Sequence, residues 1–294
     1  MKEDTKQTAE QAFLEAYRAD EFERPSVSVD VVAFTVRDDE AENYRKNAEK
    51  KLEVLLMKRT DFPFKDRWAL PGGFIGIDED MEEAAQRVLK SKTDLSKAYL
   101  EQLYTWGAVD RDPRHRIFSI SYLTLLREAN LKEQSRNKNY EWFALNMKTL
   151  REEWEESEKG YRLTRIEEIR LESEKESFTV QIKWNRTLQN GVIEQVCEIL
   201  ENESLAFDHA KIIAYALRRL REKIEYSPLA FSLMPERFTL TQLQQVYERI
   251  LGRELLKANF RRKIAPMVIE TDDYKKDSGH RPSRLYRFNT RFTE

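Results

Sequence analysis

The sequence predicts an α/β protein with a second, smaller C-terminal domain. Three observations carry that expectation. At 294 residues the chain exceeds one typical domain, so two are the default. SVSVDVVAFTVRD (26–38) and LEVLLMKR (52–59) are β-branched and aliphatic, as buried strands should be, and an amphipathic helical pattern follows PGGF (71–74). After Phe238 the order becomes helix, short turn, helix, strand, turn, strand, which is a helix-turn-helix with a β-wing.

Composition narrows the class. Charged residues make up 35% and hydrophobic ones 40%, which suits a folded domain rather than a disordered chain. The net charge is −2, so any nucleic-acid surface must be a local patch. No run of 18 apolar residues occurs, and MKEDTKQTAEQ lacks the apolar core of a signal peptide. A cytoplasmic protein without a membrane partner is expected. Cys197 is the single cysteine, so it has no disulfide partner and no CxxC knuckle, and it reads as a buried structural thiol.

Taken in order, residues 1–24 form a helical or mobile lead-in that ends at Arg24-Pro25. The charged 41–51 segment separates the two strands already named. Beyond the helix, EQLYTWGAV (101–109) and RIFSISYLTLLRE (116–128) read as strands joined by DRDPRHR, and NYEWFAL (139–145) as a short apolar piece. The charge-rich 151–187 stretch reads as loop or hairpin. NGVIEQVCEIL (190–200) and DHAKIIAYALRRLREKI (208–224) carry helical spacing. A domain boundary near 205 follows, giving a lead-in over 1–24, a larger domain over 25–205 and a smaller one over 206–294 that includes helix 208–224 as connector. In the last, Leu240, Leu243, Val246, Tyr247, Ile250 and Leu251 recur at three- and four-residue spacing. Thr239 is the expected N-cap and Gly252 the C-terminal stop.

The segment PGGFIGIDEDMEEAAQRVLKSKTDL (71–95) poses the chemical question. WALPGGF, Glu79 and Arg87 resemble a Nudix box, G-x5-E-x7-R-E-U-x-E-E-x-G-U with U a bulky apolar residue. Gly73, Glu79, Arg87, Leu89 and Leu95 fit that pattern. Its three remaining glutamates fall on Val88, Ser91 and Lys92, and its glycine on Asp94. The resemblance covers roughly 25–200 and implies a Nudix α/β/α sandwich. Positions 88, 91 and 92 are spaced i, i+3, i+4 and share one helix face. In a Nudix hydrolase that face offers carboxylates to Mg²⁺, which wants hard oxygen ligands. Here it offers valine, serine and an ammonium, and a cation about 4 Å from lysine is repelled by roughly 4 kcal/mol per unit charge at a dielectric near 20. Glu82 and Glu83 lie too far around the helix to substitute. No catalytic residue, no metal site and no cofactor, Mg²⁺ included, is expected.

A pocket can outlive its reaction, because binding needs shape and donors more than it needs metal. In DRDPRHR (110–116), Arg111, Arg114 and Arg116 are candidate forked donors to phosphate or pyrophosphate, against the plainer reading of a solvated loop. Trp68, Trp106 and Trp142 either stack on a base or pack in the core. Related ADP-ribose hydrolases carry a similar D-x-D-P-R loop beside the substrate. Arg67, Trp68, Glu79, Asp110, Arg111, Arg114 and Arg116 form the candidate effector set.

Residues 257–294 hold ten basic and five acidic side chains, a local charge of +5 on a chain that totals −2. Basic residues on a short second helix and in the turn after it fit a winged-helix DNA binder. Phe260 and Ile264 would pack inward. Lys257, Asn259, Arg261, Arg262 and Lys263 would then divide between major groove and phosphates, with Asn259 and Arg262 as base readers. The wing, GHRPSR, brings His280, Arg281 and Arg284 to the backbone or minor groove. A protein-interaction winged helix is the alternative. His209 has no second His or Cys nearby and reads as a cap or packing residue rather than a metal ligand.

A degenerate Nudix domain followed by this winged helix resembles the Nudix-related (NrtR-like) transcriptional regulators, over nearly the whole chain beyond residue 25. The resemblance implies a homodimeric repressor on a palindromic operator in double-stranded DNA, with ADP-ribose or a relative as effector and genes of NAD or niacin metabolism as targets. An active ADP-ribose hydrolase and a sugar-responsive regulator remain as alternatives.

Overall fold

A computed structural model describes residues 2–18, 21–38, 50–93, 99–128, 139–275 and 282–292. After helix α1 (Lys2–Ala16), strands β1 (Ser26–Asp38), β2 (Lys50–Lys58), β3 (Trp68–Ala69) and β4 (Gly72–Phe74) precede helix α2 (Met81–Thr93). Six more strands follow: β5 (Leu100–Trp106), β6 (Ile117–Leu126), β7 (Tyr140–Ser157), β8 (Gly160–Glu172), β9 (Ser177–Gln189) and β10 (Val192–Glu201). Eight of them form the path β10-β9-β8-β7-β2-β1-β6-β5, with β3 on β2 and β4 on β1. β1 and β6 run parallel, and the other pairs are antiparallel.

The alternation of β1 sets the layers. Val29, Val31 and Ala33 face one side and pack with Ala84, Ala85, Val88 and Leu89 of α2. Val32, Phe34 and Val36 face the other side, where helix α3 (His209–Lys223) buries Ile212, Ile213, Ala216, Leu217 and Leu220. Successive strand side chains point to opposite faces, so one apolar strand serves both cores. This is the expected α/β/α sandwich.

One expectation fails: Val192–Glu201 is strand β10 rather than helix. Of the loop or hairpin expected over 151–187, the hairpin is what forms, as the end of β7, β8 and most of β9 pair antiparallel in sequence order. The missed signal is Asn190-Gly191, both at positive φ (51° and 80°), a two-residue turn that closes β9 onto β10. Once that register is set, Ile193, Cys197 and Ile199 lie on one face, and the helical spacing of the apolar residues is incidental. Cys197 packs against the core partly buried, and burial pushes its thiol up to about 12. It is therefore unreactive at neutral pH.

The C-terminal unit follows the expected order: helix α4 (Leu240–Leu251), helix α5 (Lys257–Ile264), then strands β11 (Val268–Lys275) and β12 (Ser283–Phe288). Phe238 bridges to Tyr286 and adds a third edge to the wing. Thr239 caps α4 in a full capping box with Gln242. Gly252 ends the helix at φ 70°, a left-handed position that glycine takes without strain. Loss of this cap in Thr239→Ala is expected to cost about 1 kcal/mol, read as a lowered urea midpoint with an unchanged slope.

Candidate functional site

The first glycine of PGGF exists for a close approach. Gly72 pairs with Asp30 of β1, and a Cβ there would stand 2.3 Å from Asp30 Oδ1 and 2.8 Å from the Val29 carbonyl. Asp30 thereby lies against a turn and inside a buried polar network. Ser119 Oγ donates to it at 2.5 Å, Arg111 Nη2 stands 3.8 Å away and His209 Nε2 3.6 Å away. The Arg111 guanidinium donates two parallel hydrogen bonds to Asp208, Nε at 3.0 Å and Nη2 at 2.7 Å. His209 Nδ1 accepts from the Leu70 amide at 2.9 Å, which leaves any ring proton on Nε2, toward Asp30. Burial lowers the His209 pKa, so the ring is neutral. His209 is the packing residue expected, at the start of α3.

Above this floor lies a cleft of about 160 Å³. Its walls include Phe74, Arg59, Asp112, Arg114 and Phe207. The Arg59 and Arg114 guanidinium carbons stand 4.9 and 5.8 Å from the Phe207 ring centroid, within cation–π range. Arg114 also lies 5.4 Å from the Phe74 ring. Burial and then the Arg114 charge lower the Arg59 pKa, as expected for two cations converging on one opening. Asp112 offsets part of that charge, accepting from Arg114 Nε at 3.0 Å and Nη2 at 2.8 Å. Burial pushes Asp112 up, but the Arg114 hydrogen bonds outweigh it and hold the carboxyl below its usual range. Phe207 sits at φ 53°, a left-handed conformation that costs a bulky side chain energy.

Among the residues singled out from sequence, Arg111 and Arg114 line this cleft. Arg111 does so as a buried structural partner of Asp208, and Arg114 as a half-exposed rim. Trp68 is core: its Nε1 donates to Glu176 at 2.8 Å and its ring meets Phe143 edge-on. Trp106 packs on Tyr215 of α3, and Trp142 is partly buried against the α2 side of the core. Arg67 stacks on Phe64, Arg116 stacks on Phe118, and Asp110 is exposed outside the cleft. Arg59, Phe74 and Phe207 were missed. Arg59 and Phe207 sit outside any motif, and Phe74 closes the PGGF turn; all three meet only through the fold.

Glu79 lies next door, on the shallow surface from Phe74 to Arg87. Arg87 holds it bidentately, Nε at 2.8 Å and Nη2 at 2.5 Å, while donating to the Phe74 carbonyl at 2.9 Å. The Gly76 amide adds a bond at 2.7 Å, and Arg87 with Gly76 holds the Glu79 pKa at about 2. The motif pair thus fixes the turn that shapes the cleft. The helix face that would carry Mg²⁺ does not fit that ion: Val88 is buried in the core and offers no oxygen. The side chains of Ser91 and Lys92, and all of Asp94 and Leu95, lie outside the described residues. Among the described residues no three His, Cys, Asp or Glu side chains converge as a metal site.

On the winged helix, Phe260 and Ile264 are buried, with Phe260 edge-on to Tyr247 at 5.3 Å. Lys257, Asn259, Arg261 and Arg262 are exposed together. Lys263 turns away to Glu225, just beyond α3, at 2.9 Å, and Arg253 binds the same carboxylate. Arg284 pairs with Glu270 and with the Tyr274 hydroxyl across the wing. His280 and Arg281 lie outside the described residues.

A Nudix sandwich whose pocket abuts a helix running into a winged helix defines a class of transcriptional regulator. The NUDIX domain family matches residues 28–164, and the NrtR DNA-binding winged helix domain family matches 230–288. The ADPR responsive transcriptional repressor NtrR of Acinetobacter baylyi is 32% identical over 284 residues, 96% of this chain and 89% of that protein. The chain belongs to the NrtR family of Nudix-related transcriptional regulators. The crystal structure of Shewanella oneidensis NrtR complexed with a 27mer DNA superposes with a TM-score of 0.60 at 27% identity, covering 90% of this chain and 93% of that one. An ADP-ribose pyrophosphatase of Methanocaldococcus jannaschii is 39% identical over 98 residues, 33% of this chain and 58% of that enzyme.

Two outcomes check the site. Arg111→Ala leaves Asp208 buried without its counter-charge and is expected to cost about 3–5 kcal/mol in urea unfolding, where a loss under 1 kcal/mol contradicts the network. Because the folded pKa of Glu79 is depressed, its contribution to stability is full above the ordinary carboxyl range near ~4.3 and fades as pH falls through about 2. Carboxyl NMR should find the Glu79 midpoint near 2; a midpoint near ~4 removes the Arg87 pairing.

Proposed function

We propose that the chain is an ADP-ribose-responsive transcriptional repressor that binds operator DNA through α5 and the wing. The observation that carries it is the placement of the cleft. Arg59 and Arg114 present two converging cations suited to a pyrophosphate, and Phe207, immediately before α3, forms the wall between them. Just past α3, Glu225 grips Lys263 of the recognition helix and Arg253 of the turn. One helix therefore touches the effector site at its start and the DNA-reading unit at its end. A ligand shifts only what it binds differentially, so ADP-ribose acts by favouring one setting of α3.

The repressor is a homodimer in the cytoplasm, on a palindromic operator with half-sites roughly 10–10.5 bp apart or a multiple of it. Its target genes belong to NAD or niacin metabolism. The Nudix domain binds without hydrolysis and takes no metal or other cofactor, since Val88 replaces a carboxylate at the metal face. In the DNA-reading set, Asn259 and Arg262 read bases, and Lys257, Arg261, His280, Arg281 and Arg284 hold phosphates or the minor groove, while Lys263, expected there from sequence, instead ties the helix to Glu225.

The test is a random-duplex selection with purified protein, with and without ADP-ribose. A palindrome enriched without ligand and weakened by it supports the reading, and enrichment indifferent to ADP-ribose sinks the effector. Arg262→Ala is expected to weaken specific binding by about 1–3 kcal/mol. Arg114→Ala leaves effector-free DNA binding intact and blunts the ADP-ribose response. Incubation with ADP-ribose and Mg²⁺ should release no AMP; turnover that Glu79→Gln abolishes would establish a hydrolase instead.

A further inference from the structure

Strand β7 outlasts its partner β2. Their pairing ends at Glu53 with Ala144, yet β7 runs on to Ser157 and carries β8, β9 and β10 with it as an arm. Where the arm leaves, the start of β2 and the residues from Leu145 to Thr149 border a gap with no ladder across it. The end of α4 closes the remaining side. The gap becomes a cleft of about 1040 Å³ between the large sheet and the winged helix, and it shares no residue with the effector cleft.

Its charge departs from that of the chain. Seven basic and three acidic side chains line it, a local +4 where the whole sequence totals −2. Two of those acids are already engaged, Glu172 by Arg170, and Glu248 by the Leu255 amide and the Gln244 side chain. Some of the cations are engaged as well, Lys148 by Glu168 and Arg253 by Glu225. Arg221, near the end of α3, differs. It is partly buried, and its Nε donates to the Ile250 carbonyl at 2.8 Å, capping the end of α4. Among the described residues its Nη groups make no hydrogen bond and no ion pair. Burial lowers its pKa, while Glu167 opposes that shift from beyond ion-pair range. At Gly252 a side chain would put its Cβ 2.9 Å from Arg221 Nη2, so the glycine leaves the guanidinium uncovered.

We infer that this cleft is a second ligand site, for a compact phosphorylated anion that carries no base. A partly desolvated guanidinium without an acid partner suits the bidentate geometry of phosphate, and capping a helix occupies only one edge of its fork. Lys148 and Arg249 add charge at the exposed rim, and Asn146 and Thr149 add neutral donors. No Phe, Tyr or Trp lines the cleft, so a base has no ring to stack on. A solvated basic face accounts for Lys148 and Arg170, but it leaves the unmatched fork of Arg221 unexplained. DNA phosphates are the other source of the same chemistry. Against them, Lys257, Asn259, Arg261 and Arg262 of α5 all lie outside the cleft. The site stands independently of the ADP-ribose reading. Its effect on DNA rests on the winged helix being the DNA-binding unit: an anion held between Arg221 of α3 and the turn after α4 favours one setting of that unit.

The experiment is isothermal titration of the full chain with inorganic pyrophosphate, at fixed ionic strength, without divalent metal and with ADP-ribose saturating. One pyrophosphate per chain, bound about 10-fold or more weakly in both Arg221→Gln and Lys148→Glu, supports the site. No uptake at millimolar pyrophosphate, or uptake equal in wild type and both variants, overturns it. Uptake lost in Arg114→Ala instead places the anion in the effector cleft and also overturns it. Operator binding weakened by Arg221→Gln and Lys148→Glu, with no pyrophosphate uptake, assigns the cleft to DNA phosphates and overturns it likewise. If Arg221→Gln does not fold, Lys148→Glu and amide hydrogen exchange of the wild type decide. Slower exchange across 144–149 and 249–254 with pyrophosphate supports the site, and unchanged exchange there overturns it. The effector reading fails separately, through operator binding indifferent to ADP-ribose.

Discussion

The buried fork between Arg111 and Asp208 is the contact on which the arrangement of the two domains depends. Taking a guanidinium and a carboxylate out of water costs several kcal/mol per ion, and only bidentate geometry with further hydrogen bonds offsets it. Here the remaining positions are filled: Asp30 lies on the far side of Arg111, Ser119 donates to Asp30, and His209 accepts from the Leu70 amide. The result pins the loop between β5 and β6 to the first turn of α3. With its start fixed, α3 lays an apolar stripe from Ala210 to Leu220 across the sheet and meets α4 beyond it.

That contact also explains why the cleft sits where it does. Phe207 is held at positive φ between a strand bridge at Leu205 and the ion pair at Asp208. Strain of this kind persists only where neighbours over-determine it. Its ring is thereby placed beside Arg59 and Arg114, two cations brought together from distant stretches of chain. A wall that belongs to the connector is a different design from a hydrolase pocket closed by its own loops. The Glu79–Arg87 pair, kept from the Nudix motif, shapes the turn beneath Phe74.

Much of this was legible beforehand. The sandwich, the helix-turn-helix, the Thr239 cap and the Gly252 stop follow from periodicity and local chemistry, because each is decided within a dozen residues. The arm was misread over 190–200 because Val192, Ile193, Val196, Ile199 and Leu200 satisfy helical spacing as readily as strand packing. The Asn190-Gly191 turn was the local signal that separated the two. Trp68 illustrates the reverse limit: its type suits a stacking platform, but only the core around Phe143 shows that it is packed away.

By itself, then, the sequence determined the two-domain architecture, the loss of a carboxylate at position 88 and the local positive charge of the C-terminal unit. These are properties of spacing and residue type. Tertiary structure alone decided that Arg111 is a structural ion pair while Arg114 stays at the rim, and that Arg59, Phe74 and Phe207 share one cleft. It also turned Lys263 toward Glu225 and left Trp154 bare at the end of the arm. The physical reason is common to all of these: partners far apart in the chain meet only after the sheet register and the seat of α3 are set.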